Sequence, residues 1–348
     1  MVHRRPRIAI GLVLASLSVT SPGRGQPRGD GRQPGAPPPL PVDTSEARLL
    51  LRELGPRFGA TYTPHFTILS DCGTEKAIAL GELGERVLER ILRFAPKLGL
   101  DAAPPRHRMA VLYFDDWREY ETRARAAGIA NAAIAPGYFD ERSRRCVMGE
   151  YSNSPPVLAR RREIEASRRR IERQAAEGDD VREASRRILI REAQIKVGEE
   201  NIHRTVFRHE LAHQVLAEYG LERGTPRLRT WLHEGLAMQF ETDDMPNGFR
   251  RLDYLQAPRG SRSVPMREVV ADARVLAPDH DDSAQAYASA WALVYFLCET
   301  RPRALGAFLQ GPTESGQAAG ALAEFEAQFG ALDGEFERAV RRVIEGSR

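Results

Sequence analysis

The sequence predicts an α+β protein, with a small α/β layer in its first half and a mainly helical second half. Strand-like runs at 65–70 and 109–115 flank a stretch with helical spacing, which is typical of an α/β layer. Residues 285–299 and 320–344 show helical periodicity. The 348 residues, of which 42% are hydrophobic, are enough to bury one large core or two modest ones.

The chain begins with the pattern of an export signal. A basic start is followed by an apolar run at 8–19 and then by small, turn-forming residues. This run is shorter than the ~20 apolar residues that a membrane-spanning helix needs. We therefore interpret residues 1–25 as a cleaved signal peptide, with an uncleaved anchor as the alternative. The predicted location is secreted, periplasmic or in the cell envelope, without stable membrane insertion after signal removal.

Residues 26–45 are predicted to form a disordered leader, because Gly, Pro, Arg and Gln dominate from 23 to 41. Lys plus Arg outnumber Asp plus Glu by only 51 to 48. Four arginines lie in the first 25 residues, so removal of that segment changes the formal charge from +3 to 3 − 4 = −1. This nearly equal number of positive and negative charges argues against a nucleic-acid partner.

Residues 46–153 are predicted to form the α/β layer. Helical spacing at 46–54 precedes the first strand, and a helix should span 75–94, where the apolar residues recur on one face. After the strand at 109–115, the segment 137–151 has the pattern of a hairpin. Residues 158–200 then carry 12 basic and 10 acidic residues with apolar residues at helical spacing, so we predict a charged helical hairpin at 154–200, broken near Gly178.

Three cysteines, Cys72, Cys146 and Cys298, are too few and too widely spaced for a disulfide scaffold or a cysteine zinc site. A bridge between Cys72 and Cys146 is an alternative to buried free thiols, since an exported protein meets an oxidising compartment.

The residues that carry chemistry begin with His209, Glu210 and His213, which form H-E-x-x-H inside a helical pattern ended by Gly220. Residues i and i+4 lie about 40° apart around a helix, so both imidazoles can face one metal ion. Glu210 stands beside the pair, where it can take the proton of a water during attack on a carbonyl. The motif therefore predicts a zinc site with its own general base.

A second string, TWLHEGLAMQFE at 230–241, supplies Glu234 after 20 intervening residues. Gly and Pro residues between the two strings allow a second helix to cross the first and to present Glu234 as the third ligand. Three protein ligands would leave a fourth position open for water, as a catalytic zinc requires. Residues 201–245 are thus predicted to hold the zinc-site helices, and 246–348 a helical C-terminal subdomain.

HELAH followed by WLHEGLA resembles the gluzincin superfamily of zinc metallopeptidases, whose pattern is H-E-x-x-H, a spacer, and E-G-x-A after Trp and Leu. With the upstream α/β layer, the hairpin at 137–151 and the helix at 285–299, residues 65–345 look like a bacterial exported group in that superfamily labelled domain of unknown function 1570. The resemblance implies a small mixed sheet packed on the H-E-x-x-H helix, a cleft, and a mostly helical C-terminal subdomain.

The resemblance also implies an oxyanion donor from the C-terminal subdomain. Tyr287 is our candidate by motif position, with His280 and Tyr295 as competitors; the alternative for Tyr287 is a packing stripe with Trp291 and Tyr295. Met238 stands where the group often has an acidic residue. A carboxylate that supports a ligand would then come from elsewhere, with Glu241, Asp243 and Asp244 as alternatives to plain exposed acids. His203 and His233 are interpreted as surface or packing histidines.

The predicted function is zinc-dependent hydrolysis of peptide bonds in a peptide or protein substrate. His209, His213 and Glu234 hold the metal, Glu210 is the base, and Tyr287 assists. The alternative is a non-catalytic zinc-binding or scaffold protein of the cell envelope with a peptidase-like fold. Metal content, tested together with peptide cleavage, discriminates between them.

Overall fold

The protein is described as a computed structural model over residues 37–129, 131–222, 229–242, 264–277, 280–311 and 318–346. Within these residues it has a five-stranded mixed sheet, helices on both faces of that sheet, and a helical C-terminal region. The predicted α+β class is confirmed. The predicted signal peptide, 1–25, lies outside the described residues. Among the described residues, no helix combines the length and the apolar character needed to cross a membrane.

The sheet has the strand order β1-β2-β3-β5-β4. The central strands β2, β3 and β5 run parallel, and the edge strands β1 and β4 pair antiparallel with β2 and β5. The strands are β1 (Gly59–Tyr62), β2 (Phe66–Ser70), β3 (Met109–Phe114), β4 (Gly137–Asp140) and β5 (Arg145–Gly149). The last two form the predicted hairpin.

The central strands are buried on both faces, which is typical of parallel strands. In β3, Val111 and Tyr113 belong to one core cluster, while Leu112 and Phe114 belong to the other. Helices α1 (Thr44–Leu54) and α3 (Trp117–Ala126) cover one face. Helix α2 (Thr74–Leu98) and the C-terminal half of α5 (Arg182–Glu218) cover the other.

The last residues of the predicted leader pack against the folded part of the protein. Leu40 is buried, its backbone N–H donates to Pro64 at 2.9 Å, and Arg108 donates to the carbonyl of Pro41 at 3.0 Å. A buried leucine and paired backbone groups offset the entropy of ordering this short segment. Order therefore begins earlier than the predicted boundary at residue 45.

The charged hairpin consists of α4 (Pro155–Ala176) and the N-terminal half of α5, and the chain turns at Gly178 with a positive φ of 93°. Ion pairs join the two helices, as from Arg161 to Glu199 at 2.7 Å. Helix α5 differs from the prediction because it runs unbroken for 37 residues from the hairpin into the H-E-x-x-H motif. It contains no proline, so no boundary falls at 200/201.

The C-terminal region packs on the same core as the sheet. Trp291 and Leu293 share one hydrophobic cluster with Val111 of β3 and Val87 of α2. The helices are α6 (Thr230–Ala237), α7 (Met266–Ala271), α8 (Ser283–Thr300), α9 (Pro302–Gln310), α10 (Ala318–Phe329) and α11 (Asp333–Gly346). Short 3-10 helices add Met238–Phe240 and Ala273–Leu276. All three cysteines are free, so the alternative bridge between Cys72 and Cys146 does not form.

Candidate metal centre

The C-terminal half of α5 fixes the two histidines of the motif. Leu211 and Val215 are fully buried on the face that packs toward α2 and the sheet. His209 and His213 follow one another by one turn, with ring centroids 4.7 Å apart. Gly220, at a φ of 65°, lets the chain leave the helix in the left-handed region. Both histidines thus project from a rigid helix that the core holds on its opposite side.

Glu234 comes from α6, which packs closely against α8. A Cβ atom built on Gly235 would lie 2.6 Å from Val294 Cγ2 and 2.7 Å from the Ala290 carbonyl oxygen. Gln239 also donates to the carbonyls of Gly235, at 2.8 Å, and Trp291, at 3.1 Å. The glycine after Glu234 therefore lets the two backbones meet, and this contact sets how far α6 reaches toward α5.

The three predicted ligands converge. His209 Nε2 lies 3.0 Å from His213 Nε2 and 3.1 Å from Glu234 Oε2, and His213 Nε2 lies 3.9 Å from the same oxygen. Ligand atoms of a tetrahedral zinc, at bond lengths near 2.0–2.1 Å, stand roughly 3.3 Å apart. Two imidazole nitrogens and a carboxylate oxygen are also the donor types that zinc takes. The residues therefore fit a zinc ion.

A further carboxylate supports His209. Glu241 lies with Oε1 3.0 Å from His209 Nδ1, on the ring edge away from Glu234. Two arginines hold the turn that carries it: Arg90 donates to the carbonyls of Gln239, Phe240 and Thr242, and Arg208 donates to that of Glu241. Among the predicted alternatives, Glu241 is thus in the supporting position, whereas Asp243 and Asp244 lie outside the described residues. A hydrogen-bonded outer carboxylate fixes ring orientation and raises ligand basicity.

His213 is positioned by ring stacking, whereas a carboxylate supports His209. No described residue is a hydrogen-bond partner of its Nδ1 atom. Instead, the His233 ring stacks on it at 3.9 Å and 20°, and Phe139 of β4 stacks at 6.5 Å and 21°. His233 in turn pairs through Nδ1 with Glu222 at 2.9 Å. Of the two predicted alternatives for His233, a surface or a packing histidine, the ring is buried, and it packs on a candidate ligand.

Glu210 contacts the edge strand β4. The Phe139 backbone lowers the pKa of its carboxyl, and its Cγ would lie 3.3 Å from a Cβ on Gly137. Burial raises the pKa of the Glu210 carboxyl to about 7, while the neighbouring His209 lowers it and Glu234 raises it. A dication at the three ligand atoms would favour the ionised carboxylate, which is the form that accepts a proton.

The same contacts set the proton affinity of the three candidate ligands. Burial would lower the pKa of His209, but hydrogen bonds with Glu234 and Glu241 raise it well above its usual value. Burial would raise the pKa of Glu234, yet its contacts with both histidines hold it well below 4.5. Burial lowers the pKa of His213 to about 4. A metal ion therefore competes with the His209 proton for this site.

The predicted oxyanion donors lie on α8 or directly ahead of it. Tyr287 is half-buried on α8 against the main core. One and two turns later, Trp291 and Tyr295 stack at 5.8 Å and 8°. His280 Nδ1 accepts from the Asp282 N–H ahead of α8. His203 lies away from the metal ligands, with Nε2 2.7 Å from the Tyr113 hydroxyl. The role of Tyr287 stays a prediction.

Sequence reasoning missed Glu222, Phe139, Arg90 and Arg208. Their contacts range from 11 residues along the chain for Glu222 to 150 for Arg90, and no local sequence pattern marks these residues.

Residues 203–316 match a family model described as a protein of unknown function, DUF1570. The match contains all three candidate ligands, Glu210 and Tyr287, and it is narrower than the expected range of 65–345 because it leaves out the sheet. No curated protein matches the chain.

Proposed function

We propose that this protein is an exported zinc metallopeptidase of the gluzincin type, in which His209, His213 and Glu234 hold the metal. The observation that carries the proposal is the convergence of two imidazole nitrogens and a carboxylate oxygen from two helices, with Glu210 next to His209 and packed against Gly137 of β4. Two of the three separations, 3.0 and 3.1 Å, are close to those of a tetrahedral site.

A zinc ion bound there would supply Lewis-acid polarisation of a carbonyl and lower the pKa of a water to about 7. The chain supplies the remaining parts. Glu210, whose carboxyl pKa burial raises to about 7, takes a proton from the attacking water and returns it to the leaving amine. Glu241 orients the His209 ring, and His233 and Phe139, which each stack on His213, orient the second ring. Tyr287 is proposed to donate a hydrogen bond to the developing oxyanion.

Two glutamate variants test the assignment because they should fail differently. Glu210→Gln keeps size and hydrogen bonding but cannot accept a proton, so peptide cleavage should vanish while zinc stays near one per molecule and thermal stability is unchanged. Glu234→Ala leaves two imidazoles for a dication, so zinc affinity and stability should both fall. Zinc content, unfolding temperature and peptide-library cleavage are the measurements.

Three other outcomes would contradict parts of the proposal. Trace zinc that is the same in His209→Ala and His213→Ala would remove the metal site. Loss of zinc in Glu210→Gln with retention in Glu234→Ala would reverse the two roles. One zinc per molecule without any cleavage would favour the non-catalytic envelope protein.

A further inference from the structure

The N-terminal half of α5 presents an apolar stripe to solvent. Leu189, Ile190 and Val197 are exposed to 62, 48 and 41%, and Ala193 between them is also exposed. Of the eight large hydrophobic side chains that are exposed in the described residues, these three fall within nine positions of one helix. We call Leu189, Ile190, Ala193 and Val197 the outer stripe.

The outer stripe faces away from α4. Leu189, Ala193 and Val197 follow at intervals of four residues, which places them on one side of the helix. Ile195, which is buried, lies about 200° around the helix from Ala193. Glu192 and Glu199, which pair with Arg168 and Arg161 of α4, also lie on the inner side. The hairpin partner therefore leaves the outer stripe uncovered.

Twelve of the 22 charged side chains at 158–200 form ion pairs within the chain, and these pairs include Arg169 with Glu165, Arg187 with Glu183 and Arg191 with Glu163. Arg186 and Glu200 are among the charged side chains that have no ion-pair partner in the described residues. They lie seven residues before and seven residues after Ala193, hence on the face of the outer stripe. The stripe therefore has a positive end at Arg186 and a negative end at Glu200, with Ala193 midway between them.

We propose that the outer stripe is a dimer interface and that its partner is a second copy of this chain, with the two α5 helices antiparallel and Ala193 at the two-fold axis. This register sets Leu189 against Val197 and Arg186 against Glu200, each contact occurring twice, as an isologous interface requires. Ala193 at the centre lets the two backbones approach closely. A parallel arrangement would instead set Arg186 against Arg186.

The charge pattern favours a second copy over a membrane surface. A lipid-binding helix carries mainly basic residues beside its apolar face, whereas this face has Glu200 at one end and Glu183 near its border. Arg182 would face Arg204 about 16 Å from the axis, but Asp180 already holds Arg182. Four apolar residues per copy bury little area, so the interface lies below about 1,200 Å² and the dimer is weak.

Sedimentation velocity of the purified protein over a range of about 1–200 µM tests the proposal, because a weak dimer shows its monomer within that range. The expected result is a reversible monomer–dimer equilibrium that Ala193→Glu abolishes. Arg186→Glu alone should raise the dissociation constant about tenfold or more, since two like-charge contacts replace two pairs. The double variant Arg186→Glu with Glu200→Arg should restore it.

Leu49→Glu is the matched control, because Leu49 is also 60% exposed but lies on α1. It should leave the dissociation constant unchanged, and the unfolding temperature of every variant should stay near that of the parent protein. A protein that is monomeric at all concentrations, or a dimer that the charge exchange fails to restore, would overturn the proposal. Binding to anionic vesicles that Ala193→Glu removes, without dimerisation, would assign the stripe to a membrane instead.

Discussion

Replacement of Gly235 by alanine tests the packing that places the third ligand. The new Cβ would meet the Ala290 carbonyl oxygen at 2.7 Å and Val294 Cγ2 at 2.6 Å. Ordinary contacts begin near 3.5 Å, so α6 and α8 must separate by about 0.8 Å. The Ala290 oxygen belongs to a helix backbone and cannot rotate away as a side chain could. Glu234, the residue before Gly235, moves with α6.

Two opposing effects set the magnitude. Alanine is favoured over glycine inside a helix by about 1 kcal/mol. Overpacking of a well-packed core costs about 1–3 kcal/mol, and a clash with backbone lies toward the upper end. We therefore expect the free energy of unfolding to fall by about 1–2 kcal/mol. A ligand set tolerates displacements of about 0.5 Å, so zinc affinity should fall about 10- to 100-fold.

Denaturant unfolding of the metal-free protein and a competitive zinc titration measure the two quantities separately. Gly334→Ala is the matched control, because Gly334 lies in a helix but its Cβ would meet only the end of the Arg338 side chain, at 3.3 Å. If Gly235→Ala is as stable as Gly334→Ala and binds zinc as tightly as the parent protein, the close contact of α6 with α8 does not position Glu234.

Three further predictions follow from other contacts. Tyr287→Phe should lower turnover about 10²-fold with little change in stability if the hydroxyl stabilises the oxyanion; unchanged turnover would place it in the packing stripe. Glu241→Gln keeps a contact with His209 but removes the negative charge, so zinc affinity should fall about 10-fold, measured by competitive titration; equal affinity would contradict its supporting role. Burial, followed by Lys76 and Arg204, lowers the pKa of His203 to about 4. In the unfolded chain His203 takes up a proton below pH 6.5, whereas in the folded protein it stays neutral down to about pH 4. The free energy of unfolding should therefore fall by up to about 3 kcal/mol as the pH is lowered from 6.5 to 4. His203→Gln should flatten that slope in unfolding titrations.

The pairing of the two histidines with Glu210 could be predicted because their relative positions are local. The spacing of His209 and His213 is fixed by the helix repeat, and Glu210 is fixed with them. Glu234 was predicted from the string around it, and the structure brings it within 3.1 Å of His209. Its position, however, depends on the contact of Gly235 with α8, which no local pattern encodes.

The supporting contacts could not be predicted for the same physical reason. Glu241 and His209 are 32 residues apart, and His213 and His233 belong to different helices. The sequence also does not predict a long unbroken α5, because the change from charged to apolar composition near residue 200 is typical of an element boundary. Composition changes there because α5 leaves the solvated hairpin and enters the core, while its backbone hydrogen bonds continue.

The three proposed ligands therefore rest on supports of unequal strength. His209 and His213 project from a helix whose other side is buried against α2 and the sheet, so their separation survives as long as the core does. Glu234 lies on an eight-residue helix whose place is set by α8. Helices this short have little stability of their own and depend on tertiary contacts. Perturbation of the C-terminal region should thus weaken zinc binding through Glu234 while the two histidines keep their geometry.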